Sequence, residues 1–171
     1  MSGVFMNEFN FEKFKQVLHY IISKTDSSTH LNVGKKVIYK LLYFNDFNYY
    51  ELTELKMTGE TYYKLEHGPA PSHFDLAIND LKSSGYVIEN QSDYYGHKQT
   101  RYQSIRGPVL NLVSVPELQQ IDDTLNRYSS MNGSQIEALS HKDIPWISED
   151  MNKPLDYDMV FYRSAEMSVR P

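Results

Sequence analysis

No cysteine occurs anywhere in this 171-residue chain, which removes a disulfide framework, a thiolate metal site and a cysteine nucleophile at once. A chain of this length buries most of its apolar surface without staples, so folding needs neither a cross-link nor a metal. Positive charge is short as well: 17 Lys and Arg against 22 Asp and Glu leave a formal net charge of -5. That balance argues against a protein held mainly by contacts to a phosphate backbone, though it excludes no local basic patch. No apolar run reaches the length of a membrane span, and residues 1–10 carry Glu8 but no Lys or Arg and lead into no secretory apolar run. The cytosol is therefore the expected location. A phosphate-cradling Gly-rich loop, a metalloprotease helix and a nucleophile elbow are missing too. What the chain has in quantity is aromatic residues, 14 Tyr and 8 Phe, which serve cores and protein interfaces alike.

The spacing predicts a first helix over 11–22, capped by Asn10, with Phe11, Phe14, Leu18, Ile21 and Ile22 on one face. A polar linker, residues 23–29, follows. From Val33 to Tyr50 the apolar positions Val33, Val37, Ile38, Leu41, Leu42 and Phe44 recur at helical steps, predicting the most buried helix of the fold, rimmed by Tyr39 and Tyr43 with Asn45, Asp46 and Asn48. After a connector over 51–57, residues 58–65 read as a short strand with Thr61, Tyr63 and Leu65 on one face, ended by Gly68 and Pro69. Pro71 repeats that stop; Ser72 is the expected cap of a helix carrying Phe74, Ala77, Ile78 and Leu81, and Gly85 its left-handed end. A two-stranded hairpin with a loose loop is expected next, from Tyr86–Glu89 and Lys98–Gln103. A helix, a glycine and a hairpin in succession make a winged-helix-like element, which binds proteins as readily as DNA.

Capping boxes at Ser114–Glu117 and Ser134–Glu137 predict two further helices, Pro145 directs the chain out of the second, and a last helical stretch is expected over 157–165. The expected fold is α+β, a mainly helical single domain over 1–171 with a small antiparallel sheet, its core spanning about 11–165 and its tail, 166–171, loose.

Candidate chemistry is thin. His67, His73 and His141 are the best metal candidates, but the His67–His73 spacing, interrupted by two prolines, fits no standard ligand pattern. Ser140 and His141 place a nucleophile beside a base, yet neighbours on a helix diverge too far to form a triad. Neither a catalytic residue, a metal nor a cofactor is expected, and the chain reads as a non-enzyme. Lys98, Arg101 and Arg106 with Tyr94, Tyr95 and Tyr102 could form a wing against DNA; between Ser72 and Ser84, however, only His73 and Lys82 are basic, against Asp75 and Asp80. Nucleic acid is thus not the expected partner. Tyr39, Tyr43, Tyr49, Tyr50, Tyr62 and Tyr63 outnumber what one helix and one strand easily bury, so they are the candidate protein-binding surface.

Five segments, in order, carry a resemblance: Lys40–Phe47, Thr58–Leu65, His67–Pro71, Leu139–His141 with Pro145-Trp146, and Leu155–Tyr157 through Phe161–Arg163. Together they resemble the Panacea domain of SocA-like antitoxins, with Ala70 standing where the family often has a larger apolar residue. The resemblance implies a small, mostly helical prokaryotic or phage protein that neutralises a toxin encoded beside it by direct binding; some relatives are instead adaptors that deliver a partner to a protease. It marks Lys40, Gly68, Pro69, Pro71, His141, Pro145 and Trp146 as motif residues. We read these as serving the fold: Gly68 and Pro69 aim the following helix, and burial of Trp146 anchors the C-terminal segment.

Overall fold

A computed structural model describes residues 8–26 and 33–171. In chain order its elements are α1 (Phe11–Thr25), α2 (Lys35–Thr53), β1 (Tyr62–Leu65), β2 (Gly68–Pro71), α3 (Phe74–Ser83), β3 (Val87–Tyr94), β4 (His97–Ser104), α4 (Val115–Tyr128), α5 (Gly133–Ser140), the single turn α6 (Ile144–Ile147) and a 3-10 helix (Tyr157–Tyr162). β1 pairs antiparallel with β2, and β3 with β4, in two separate sheets. The fold is therefore mainly helical α+β, as expected. No helix of the described residues is long and apolar enough to cross a membrane.

α1 starts where expected, with the Asn10 side chain accepting the Lys13 amide. It runs past Ile22 because the Ser23 and Thr25 hydroxyls donate back to the carbonyls of Tyr20 and Ile21, each at 2.7 Å, so the polar residues extend the helix rather than break it. The rest of the expected linker, 27–29, lies outside the described residues.

α2 is the hub, packed on α1, β2, β4, α4, α5 and the 3-10 helix. Its burial is unbroken from Lys40 through Asn48, so the expected rim is interior except at the half-buried Tyr39. Burial on every side requires its polar groups to find partners. Asp46 accepts from the Thr58 amide (3.1 Å), the Thr58 hydroxyl (2.7 Å) and the Tyr62 hydroxyl (2.6 Å); Asn48 donates to the Tyr128 hydroxyl at 2.9 Å. The helix ends at Thr53, three residues beyond the expected Tyr50, and Glu54 after it stops it with a left-handed φ of 59°.

The segment expected to halt β1 is its partner strand. Residues opposite each other run Tyr62–Pro71, Tyr63–Ala70, Lys64–Pro69 and Leu65–Gly68. The backbone of Lys64 and the carbonyl of Tyr62 turn the other way, to Asn152, Lys153 and Leu155. Pro69 and Pro71 thus occupy the alternate positions where no donor toward β1 is required, the one place a strand tolerates them.

α3 begins one residue after His73, and Ser72 does not cap it. No side chain caps its first turn; the buried Glu60 carboxylate instead fixes the residues leading into it, accepting from the Thr61 amide (2.8 Å), the Ser72 hydroxyl (2.9 Å) and the His73 amide (2.8 Å). Gly85 closes α3 at φ 79°, as expected. The β3–β4 hairpin is longer and tighter than the expected loose loop, its turn being Tyr95-Gly96, both at positive φ (49° and 80°), a primed two-residue turn. The Ser114–Glu117 capping box opens α4 as read. The box of α5 is instead Asn132–Gln135, two residues earlier than Ser134–Glu137, so Gly133 and Ser134 are already helical.

The last expected helix is a 3-10 turn ending at Tyr162, and Arg163 beyond it is buried. Its guanidinium donates to both Asp143 oxygens (2.8 and 2.7 Å), to Asn48 Oδ1 (2.8 Å) and to Glu51 Oε1 (2.8 Å). The tail, expected to be loose, returns to the same carboxylate: the Ser168 hydroxyl, the Val169 amide and the Arg170 guanidinium all donate to Glu51, and Met167 is buried. Burial alone would push the Glu51 carboxyl up, but the Ser168, Val169 and Arg163 donors outweigh it and hold it below its ordinary value.

Candidate functional site

The motif residues converge where α2, the β1–β2 hairpin and α5–α6 meet. Gly68 sits at φ +121°, and a Cβ there would lie 2.8 Å from Ser140 Oγ and 2.9 Å from Lys40 Cε. Only glycine permits both the angle and this approach. Lys40 is 3% exposed, the end of its stem lying against Gly68. Burial lowers the Lys40 ammonium to about 8; Glu137 pulls it back up and Lys36 lowers it further. Its Nζ has no hydrogen-bond or ion-pair partner among the described residues, unusual for so buried a cation.

Directly after Ser140, His141 caps the end of α5 and stacks on Trp146 with ring centroids 4.3 Å apart. Lys64 Nζ lies 4.1 Å from the other partner of that stack, the Trp146 ring, and the indole N–H donates to the Leu65 carbonyl at 3.2 Å. The Trp146 indole ties α6 to β1, but it is half-buried rather than buried as expected, while Pro145 is buried. Tyr63 (37% exposed) and Leu65 (41%) lie on the outer side of β1, opposite the Lys64 side chain that reaches Trp146; Ile147 (50%) at the end of α6 and Met151 (48%) beyond it are exposed too.

The six tyrosines do not share a surface. Tyr43 and Tyr62 are fully buried, their hydroxyls given to Asp143 (2.8 Å) and Asp46 (2.6 Å), so neither can touch a partner. Tyr39 packs edge-on against Phe74, Tyr50 donates to Asp158, and both are half-buried with Tyr49. Tyr63 alone of the set belongs to the outer face. The apparent surplus was absorbed by acids elsewhere in the chain, which composition does not reveal.

The histidines hold separate posts: His67 Nδ1 meets Glu137 Oε1 at 3.1 Å, His73 Nδ1 meets Glu60 Oε1 at 2.6 Å, and His141 faces Trp146. No group of three metal-ligating side chains occurs among the described residues. Ser140 donates to the Glu137 carbonyl at 2.8 Å, away from His141. Sequence reasoning overlooked the Arg163–Asp143–Glu51 cluster, which nothing local in the sequence signals, and Glu60, whose donors Ser72 and His73 lie 12 and 13 residues further along the chain.

A family model described as antitoxin SocA-like, Panacea domain matches residues 38–147, well over half of the chain. Neither a curated protein nor a solved structure matches it. The matched span runs from α2 through the end of α6, and so contains the whole Lys40–Gly68–Ser140 junction and the Trp146 anchor.

Proposed function

Since this chain belongs to the SocA-like antitoxin family with the Panacea domain, we propose that it neutralises a toxin protein by stoichiometric binding through the outer face of β1 and α6. The observation that carries the choice of face is the exposure of Tyr63 and Leu65 together on the outer side of β1, an aromatic and an apolar side chain held in fixed positions by a paired strand, with Ile147 and Met151 exposed on and just after α6. Such rigid anchors gain contact area at little entropic cost. Inhibition by occupancy requires no catalytic group from this chain, and the action is not enzymatic.

Titration of the purified chain into an activity assay of the protein encoded beside it tests this reading. Inhibition saturates at a fixed molar ratio; an enzyme that reversed the toxin's chemistry would protect at substoichiometric amounts. Leu65→Arg, on the exposed edge, should weaken inhibition by about 2 kcal/mol or more without lowering the melting temperature. Full protection by a well-folded Leu65→Arg, Ile147→Arg double variant would show that the contact lies on another face.

A further inference from the structure

We propose that the cleft between the start of α2, the tip of the β3–β4 hairpin and the start of α5 binds a phosphate-bearing small molecule, with the Lys40 ammonium at its floor. The cleft holds about 550 Å³, enough for a nucleotide-sized ligand. Its charge is set by Lys35, Lys36 and Lys40 from α2 and by Lys98 from β4, with Glu137 from α5 the one acid among the described lining residues.

Three features of α2 oppose the stability of the free helix and favour an anion. Its cap is Gly34, with no side chain accepting from the first amides. Its first turn has no acidic residue and begins Lys35-Lys36, placing cations where the helix dipole is already positive. Asp75, 3.7 Å from Lys35 Nζ, is largely exposed and offsets this only in part. One turn deeper, Lys40 is buried against Gly68 with no partner among the described residues, and Lys36 adds like charge beside it. A phosphate in the cleft answers all of these, accepting from the amides of the first turn and from the lysines together. A lone carboxylate supplies too little charge and too few oxygens for that many donors. Tyr95 at the mouth offers a ring to the organic part of the ligand. The site is separate from the β1–α6 face and does not rest on toxin binding.

The test titrates the full chain with inorganic phosphate, with ATP and with a polyglutamate peptide, followed by amide NMR shifts. We expect saturable shifts at Lys35, Lys36 and Val37 with ATP, and weaker ones at the same amides with inorganic phosphate. Lys40→Met keeps the stem and should weaken ATP binding about tenfold or more. Should that variant not fold, the exposed Lys36→Ala decides in its place, with a loss of about threefold or more. Calorimetry at pH 8 in two buffers should show proton uptake on binding, because Lys40 is only part-charged there, and the uptake should vanish in Lys40→Met. Shifts that stay linear to about 10 mM, affinity indifferent to the lysine substitutions, or polyglutamate binding more tightly than ATP would each overturn the proposal.

Discussion

Arg163→Met keeps an unbranched stem in the interior and removes a guanidinium that makes four hydrogen bonds between 2.7 and 2.8 Å. The side chains of Arg163, Glu51 and Asp143 are all fully enclosed. Breaking one partner out of such a cluster costs about 3 to 5 kcal/mol, chiefly because the remaining charge stays buried without compensation. The two acids suffer unequally. Glu51 keeps Ser168, Val169 and Arg170 as donors, whereas Asp143 keeps the Tyr43 hydroxyl as its remaining side-chain donor. The loss therefore concentrates on Asp143, and about 4 kcal/mol is the expected figure. With roughly 2.1 cal/mol/K of unfolding entropy per residue, this lowers the melting temperature by roughly 10 °C. Urea unfolding, followed by circular dichroism and by the fluorescence of Trp146, measures it. Adding Asp143→Asn to Arg163→Met removes the stranded charge and should recover about half of the loss. A drop below about 1 kcal/mol, or a double variant no more stable than the single one, would refute the claim that an enclosed charge cluster holds the C-terminal segment to α2.

Gly68→Ala must strain a φ of +121° and displace Ser140 or the Lys40 stem, so it should cost about 1 to 3 kcal/mol; an unchanged melting temperature would mean the junction is looser than described. Asp46 gives a pH signature. Burial pushes its carboxyl up to about 6, with the Tyr62 and Thr58 donors holding it down only in part. A folded value above the unfolded one of about 4 means that its stabilising contribution is full below pH 4 and is lost as pH rises through about 6. The stability of the wild type relative to Asp46→Asn should accordingly fall by about 2 to 3 kcal/mol between pH 4 and 7, and a difference flat in pH would show that the group does not titrate there.

The parts of the fold legible in the sequence are those set by neighbours along the chain. The Ser114 capping box, the Gly85 stop, the apolar stripes of α1 and α3 and the winged-helix-like order all follow from spacings of a few residues. Where two local rules competed, the sequence misled: Asn132 and Ser134 both head a capping pattern, and only the structure shows the earlier one closing. Pro69 and Pro71 forbid a central strand, but their alternation is compatible with one whose other edge needs no donor, a fact that depends on Lys64 turning toward residues 152–153. The tail was misread for the same reason, since its anchor, Glu51, lies on α2 at the opposite end of the chain.

The same division runs through the sites. Tyr43 and Tyr62 looked like surplus because each hydroxyl is answered by an acid that only folding brings near, Asp143 in one case and Asp46 in the other. A count of aromatics cannot separate a surface from a wet interior. Lys35 and Lys36 are different, because the cost of a cation in the first turn of a helix is local and visible once the helix start is known. A Gly cap followed by two lysines opposes helix formation in the free chain, and one turn further on Lys40, buried against Gly68, adds a second unfavourable term beside it. Two independent costs converging on one cleft in a chain of net charge -5 are the physical ground for reading it as built for an anion.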